Sequence, residues 1–290
     1  MFRRAVAGLA ALTWCALAGA WPAPLHVRRG GPGVAVLVYH NFISDDEAAR
    51  RPGLLDEMTM SRAQLVAQIE QLKREGARFL TLAEFVAHVR GTAPAPRHAV
   101  LIAIDDGYES VYKIAWPVLR EARVPSMVAL IVSATEDPAG WAKKHPNAAP
   151  HLTWSEIHEM MQPVPEVGGG LVALASHTFD MHENLWREER ALAGKEREAL
   201  HARLLSDLKK AREVIAARTG AYAGFLVWPH GGFSAELLAV ARAAGHEGTF
   251  GDLGPVVRPG ADEMNMTRVH AGSGTRSRGA LERNMRSAGW

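Results

Sequence analysis

The 290-residue chain contains a single cysteine, Cys15, which excludes an internal disulfide and leaves stability to packing. It has no excess charge of either sign, with 33 basic residues against 31 acidic ones. Such a balance argues against a nucleic-acid or polyanion binder that works through bulk charge. The apolar run from Ala5 to Leu17 is short for a comfortable membrane span. Internal repeats, low-complexity tracts and a convincing interdomain linker are missing too. What remains, 48% apolar and 22% charged residues, is an ordinary globular composition able to bury a substantial core.

Residues 1–20 read as an export signal: Arg3 and Arg4 form a basic start, Ala5 to Leu17 an apolar stretch, and Ala18-Gly19-Ala20 a small-x-small cleavage site. Cys15 follows Trp14, where a lipid-attachment signal wants a small residue, so cleavage is favoured over lipidation. The apolar stretch is also short for a retained anchor. Cleavage after Ala20 removes the cysteine and two arginines, which brings bases level with acids. The expected product is a thiol-free protein of the bacterial periplasm or secreted, with no transmembrane span. Residues 21–33 are a Pro- and Gly-rich leader, and 34–290 the domain.

Within the domain, apolar β-branched runs alternate with helical periodicity. Val34 to Tyr39 reads as a first strand ending in His40, and Ser44 to Thr59 as mostly polar loop. Ser61 caps a helix carrying Leu65, Ile69 and Leu72 that stops at Gly76. Phe79-Leu80 suits a short strand, and Thr81 to Glu84 is a capping box for a helix with Phe85 and Val89 inward. Leu101 to Ile104 is a buried strand that breaks off in Asp105-Asp106-Gly107, followed by a short helix entered through Pro117 and a strand over Ser126 to Val132. Ala134 to Pro150 reads as a surface excursion, and Thr153 to Glu156 as another capping box. Leu171 to Ala175 is a strand running into Ser176-His177-Thr178-Phe179-Asp180-Met181-His182. Leu200, Leu204, Leu208, Ala211 and Ile215 share one face of a long charged helix. Gly224 to Val227 is a strand ending in Trp228-Pro229-His230-Gly231; Ser234 to Ala244 is a helix, and Met266 to Val269 a last strand before His270. Alternation with about seven strands predicts an α/β fold closed as a distorted (β/α)7-type barrel.

Four of these strands end in polar clusters, and a parallel barrel gathers all carboxyl ends on one face. An isolated Asp-Asp-Gly is common turn chemistry, and isolated histidines are usually packing or surface groups. Convergence changes that reading. One carboxylate and two imidazoles form a three-ligand metal site with positions left for water, as hydrolysis requires.

Asp105-Asp106-Gly107, Ser176-His177-Thr178 with His182, and Trp228-Pro229-x-Gly231 resemble the successive motifs of the polysaccharide deacetylases, carbohydrate esterase family 4. Trp154-Ser155-Glu156-Ile157-x-x-Met160 is similar to a further stretch of that family, and the likeness spans Val34 to about His270. Val38 to Phe42, Val-Tyr-His-Asn-Phe, most resembles the envelope deacetylases of biofilm poly-β-1,6-N-acetylglucosamine. The resemblance implies that Asp106, His177 and His182 hold a divalent metal, zinc in first place with cobalt, nickel or iron as the other ions. It implies that Asp105 is the general base and that a backbone N–H near the site shares the developing charge. His40 is the implied acid and His270 its rival. Tyr108 and His230, which sit beside the motifs, are candidate substrate contacts together with Trp228 and Pro229, and Trp154, Phe179 and Tyr39 are further aromatic candidates for stacking on sugar, although tryptophans are more often packing residues. His145, His151, His158 and His201 have no motif beside them and read as surface residues.

The chain departs from the common pattern in three places. His177 and His182 are five apart rather than four, which resembles the biofilm subgroup. Val227 stands where the family usually carries an arginine, so the group orienting Asp105 is missing or comes from elsewhere. No large hydrolase-like domain follows His270, so the expected content is the deacetylase half. The implied activity is removal of N-acetyl groups from an envelope or extracellular N-acetylglucosamine polysaccharide. The alternatives are an O-acetyl polysaccharide esterase and a catalytically silent polysaccharide-binding module. A separate hydrolase or export partner is implied by analogy alone.

Overall fold

The computed structural model describes residues 33–94, 96–251, 254, 256–271 and 286. The expected export signal and residues 21–32 of the leader lie outside the described residues.

In chain order the strands are β1 (Val34–Tyr39), β2 (Asn41–Ile43), β3 (Thr59–Ser61), β4 (Arg78–Phe79), β5 (Ala99–Ile104), β6 (Ser126–Leu130), β7 (Pro163–Val164), β8 (Gly169–Gly170), β9 (Val172–Ser176), β10 (Phe225–Val227), β11 (Gly248–Phe250) and β12 (Val269–His270). The main sheet runs β11-β10-β9-β6-β5-β1-β12, with β4 added beside β5, and its strand pairings are parallel. Met266 bridges Phe250 in parallel just before β12 joins β1, so the segment 266–270 spans from β11 to β1 and closes the curl. The seven-strand barrel expected from the alternation is therefore the fold, with the closure made by a few residues.

Both faces of the strands are covered. In β5 every residue is buried; Val100, Ile102 and Ile104 pack outward with Leu65, Ile69 and Leu119, while Leu101 and Ala103 pack inward with Val36, Met127, Val227 and Phe250. That is why these strands read as unbroken apolar runs instead of alternating ones. The helices are α1 (Asp45–Arg50), α2 (Arg62–Arg74), α3 (Leu82–Val89), α4 (Trp116–Ala122), α5 (Val132–Glu136), α6 (Pro138–Lys144), α7 (Trp154–Met160), α8 (Leu185–Ala191), α9 (Gly194–Thr219) and α10 (Ala235–Ala243). Capping boxes begin α2 at Ser61, α3 at Thr81 and α7 at Thr153, each with its side chain reciprocally bonded.

Two stretches differ from expectation. Residues 44–59 hold α1, capped by Ser44, and the start of β3; α1 buries no residue, so it leaves no apolar period to read. Residues 134–150 hold the end of α5 and all of α6, with Ala134, Thr135 and Trp141 buried. Each helix there is under two turns, too short for a period to show.

Candidate active site

The end of β5 sets the geometry. Asp105 still belongs to the sheet, its N–H donating to the Tyr39 carbonyl at 2.9 Å. Asp106 and Gly107 then turn through left-handed conformations, φ 67° and 70°. A Cβ on Gly107 would lie 2.8 Å from Leu130 Cδ2, so both the turn and the packing demand glycine there. The turn sends the two adjacent carboxylates into separate environments.

Asp106 is 96% buried from solvent by residue area and meets two imidazoles: His177 Nε2 lies 3.3 Å and His182 Nε2 3.2 Å from its Oδ1. Burial pushes its carboxyl up, but hydrogen bonds from the two histidines outweigh that and hold it well below the usual carboxylate range. His177 Nδ1 sits 2.7 Å from the Val227 carbonyl. A carbonyl only accepts, so Nδ1 carries a proton; Nε2 also donates to Asp106 and is the nitrogen that would exchange its proton for an ion bound between them. The three ligand atoms lie within 4.8 Å of one another. Two imidazoles and one carboxylate, with the second-nitrogen partner of His177 already supplied, fit a divalent transition metal with open positions.

Asp105 faces Arg268. Nη1 of the guanidinium donates to both carboxylate oxygens at 2.8 Å, and Nε donates to the Gly251 carbonyl at 2.9 Å. Burial raises the Asp105 carboxyl; Arg268, then His177 and His40, outweigh it and keep the group ionised. The arginine missing before Trp228 is thus replaced by one at the approach to β12, which reaches Asp105 because β12 and β5 both flank β1. Its sequence signal was slight: one basic residue in an otherwise apolar run leading to His270.

His40 and His270 end the neighbouring strands β1 and β12, their rings stacked at 5.8 Å and 10°. His40 Nε2 lies 3.7 Å from Asp105 Oδ2, and burial pushes its pKa down. Tyr108 is half-buried, its hydroxyl bonded to Asp106; burial first, then that carboxylate, raises its pKa. His230 is exposed, in a left-handed conformation at φ 54°, with its ring 5.5 Å from that of His182.

The aromatic candidates fare differently. Trp228 is fully buried among Leu226, Leu237 and Ala241, with Phe233 at 6.0 Å, and Pro229 is buried too. Neither offers a face to a sugar. They serve the core beneath the loop and leave His230 at its surface. Tyr39 is likewise buried, its hydroxyl donating to Gln68. Trp154 donates to Glu136, and Lys210 covers the Phe179 ring at 3.7 Å.

Two residues that the sequence left aside belong here. His151 is buried rather than superficial: its ring lies 4.9 Å from Tyr108, and burial lowers its pKa to about 4, with Asp106 and His182 close enough to contribute. No periodicity or motif marks it. Asp207, on α9 between Leu204 and Leu208, accepts from the backbone N–H groups of Phe179 and Asp180 at 2.7 and 2.8 Å and so holds the loop between the two histidines. An acid flanking a helix's apolar stripe was its signal. His201 pairs with the buried Glu189 at 2.6 Å, His158 bonds the Arg218 carbonyl, and His145 is exposed and stacked on Trp141.

Residues 92–249 match the family model described as polysaccharide deacetylase. A poly-beta-1,6-N-acetyl-D-glucosamine N-deacetylase of Staphylococcus aureus is 25% identical over 211 residues, 73% of this chain and 67% of that protein. One of the same name from Escherichia coli is 31% identical over 151 residues, 52% of this chain but 21% of that protein. Among solved structures, IcaB from Ammonifex degensii superposes with TM-score 0.68 at 23% identity, covering 90% of this chain and 97% of that one. The BpsB deacetylase domain of Bordetella bronchiseptica gives 0.63 at 23%, covering 82% and 95%. At these identities the solved structures speak for the fold.

Proposed function

The chain belongs to the polysaccharide deacetylase family, and from that premise we propose that it removes N-acetyl groups from poly-β-1,6-N-acetylglucosamine at a metal-dependent site. The observation that carries this reading is the division of labour between adjacent acids: Asp106 shared by His177 and His182, Asp105 held ionised by Arg268. The relatives named for that polymer support the substrate.

Asp106, His177 and His182 would hold the ion, with zinc, cobalt, nickel or iron all compatible with the donor set. A divalent ion bound there supplies Lewis acidity toward water and the acetamide carbonyl. Asp105 takes the proton from the attacking water, and Arg268 keeps it ionised and oriented for that task. His40, its Nε2 3.7 Å from Asp105 Oδ2, passes the proton taken by Asp105 on to the leaving amine, with the stacked His270 as the alternative acid. Tyr108 and His230 border the substrate. The reading extends to a signal over 1–20, a leader over 21–33 and one deacetylase domain over 34–290, acting in the periplasm or outside the cell on biofilm polysaccharide. No helix among the described residues is long and apolar enough to cross a membrane.

A silent binding module drew its support from a missing arginine, and Arg268 removes that support. The test is acetate release from purified protein and poly-β-1,6-N-acetylglucosamine oligomers, after chelation and resupply of single metals. Release that needs metal and is lost in Asp105→Asn is expected. Oligomer binding without release under any metal overturns the enzyme reading, and release from O-acetylated polymers alone redirects it to an esterase.

A further inference from the structure

Trp228 and Tyr39 are buried, Trp154 is tied to Glu136 and Phe179 is covered by Lys210, so a sugar platform has to come from other residues that solvent reaches. Three large apolar side chains are exposed among the described residues: Met58, Trp186 and Tyr222. Tyr222 precedes β10 and lies at the end of the barrel opposite the candidate metal ligands. Trp186, 38% exposed, lies on their side. It stands near the start of α8, four residues beyond His182, and its Cβ, Cγ and Cδ2 are 3.2, 3.4 and 3.6 Å from where a Cβ on Gly232 would be. Gly232 follows the turn that presents His230, whose exposed ring is 5.5 Å from that of His182. His182 is itself partly open to solvent, so an accessible strip leads from a proposed metal ligand past His230 to Trp186.

The packing of α8 holds Trp186 outward. Leu185 and Glu189 are its inward pair: Leu185 packs with Trp228 and Leu237, and Glu189 bonds His201 of α9 at 2.6 Å. Trp186 and Arg190 are one step round the helix, both exposed, with the guanidinium carbon over the indole at 4.6 Å. Such a contact is weak at an exposed site, so a sugar can take the ring face and leave Arg190 to donate to its hydroxyls. A tryptophan offers a large rigid apolar surface at little cost in side-chain entropy, which suits the C–H face of a pyranose.

We propose that Trp186 is the stacking platform for a sugar unit of the polymer beyond the one whose acetamide is cleaved, with Arg190 bonding that unit's hydroxyls. The proposal rests on the deacetylase reading and deepens it, because the site then grips the polymer away from the reacting unit. A small acetyl ester that reaches the metal ligands but not the rim gains nothing from Trp186. A polymer does, so the two substrates separate the platform from the chemistry.

The experiment compares wild type, Trp186→Ala and Trp186→Tyr in the metal-loaded protein, on poly-β-1,6-N-acetylglucosamine oligomers and on para-nitrophenyl acetate. Trp186→Ala is expected to raise KM for the oligomers about tenfold with kcat nearly unchanged, and to leave the ester rate as in wild type. Trp186→Tyr, which keeps a flat ring, should recover most of the loss. A second measurement needs no turnover: oligomers titrated into Asp105→Asn should shift the tryptophan emission, and the shift should vanish once Trp186→Phe is combined with it. Equal oligomer KM in wild type and Trp186→Ala, equal losses on oligomer and ester, or an emission shift that survives Trp186→Phe undiminished each overturn the platform; if the alanine variant does not fold, the emission shift decides. Wild type that releases no acetate from oligomers with any metal overturns the deacetylase reading instead, and an emission shift lost in Trp186→Phe would still place a sugar on Trp186.

Discussion

Arg268 is the residue whose removal tells most. Buried beside an equally buried Asp105, it cannot be lost without stranding a charge, at a cost of about 3–5 kcal/mol. Arg268→Met should therefore lower the urea midpoint sharply and reduce kcat by about a hundredfold or more, whereas Arg268→Lys, which keeps the charge but not the planar fork, should recover stability better than rate. Equal kcat in wild type and Arg268→Met would remove its role in orienting the base. The stacked histidines invite a paired comparison. His40→Asn, which removes an Nε2 lying 3.7 Å from Asp105 Oδ2, should lower kcat by about 10²–10⁴ with KM nearly unchanged, and by more than His270→Asn does. The reverse ranking would hand the acid role to His270.

At the scale of elements, the site depends on helix α9 reaching a loop it does not belong to. Asp207 ties Phe179 and Asp180 to that helix through two backbone hydrogen bonds, and His182 stands at the end of the segment so held. Asp207→Ala should weaken metal binding about 10- to 100-fold in chelator competition, the usual scale for supporting residues of a metal site, with the far-ultraviolet circular dichroism unchanged. Metal affinity equal to wild type would mean that the loop keeps its shape without the carboxylate. Gly107 closes the turn that carries Asp106, another of the proposed ligands. Gly107→Ala meets both a left-handed φ of 70° and a 2.8 Å contact with Leu130, so a loss of about 1–3 kcal/mol is expected.

For the whole molecule, acid lability follows from histidines kept neutral inside. Burial, reinforced by the nearby Arg212 guanidinium, lowers His246 from its ordinary 6.5 to about 3. Its folded pKa is below the unfolded one, so as pH falls from about 6.5 toward 3 the unfolded chain takes up a proton that the folded chain refuses. Stability is then lost, by up to about 1.4 kcal/mol per pH unit for this group. His246→Gln should narrow the difference between urea midpoints at pH 7 and pH 4; an unchanged difference would place the acid lability elsewhere. Metal should act in the opposite sense. At a hundredfold excess over Kd, an ion that binds the folded state adds about 2.7 kcal/mol, so Tm should rise on loading, fall on chelation, and respond to neither in His177→Ala.

Fold class was legible because a parallel strand buried on both faces can only be written as an unbroken apolar run, and β1 and β5 were so written. Helix starts were legible for an equally local reason: Ser61, Thr81 and Thr153 satisfy orphan N–H groups within three residues of themselves. The acids and histidines at strand ends marked the candidate site for the same cause, since a polar residue breaking an apolar run is visible in one dimension. What the sequence could not state was which distant groups meet. Arg268 reaches Asp105 across 163 positions, and Trp228 is core rather than platform because α10 and α9 close over it. His151 packs on Tyr108 only because a single antiparallel bridge with two backbone hydrogen bonds folds its loop back onto the turn. Local hydrogen bonding and periodicity are functions of near neighbours and survive in the sequence. Charge pairing, burial and access depend on long-range closure of the barrel, and only the tertiary structure decides them.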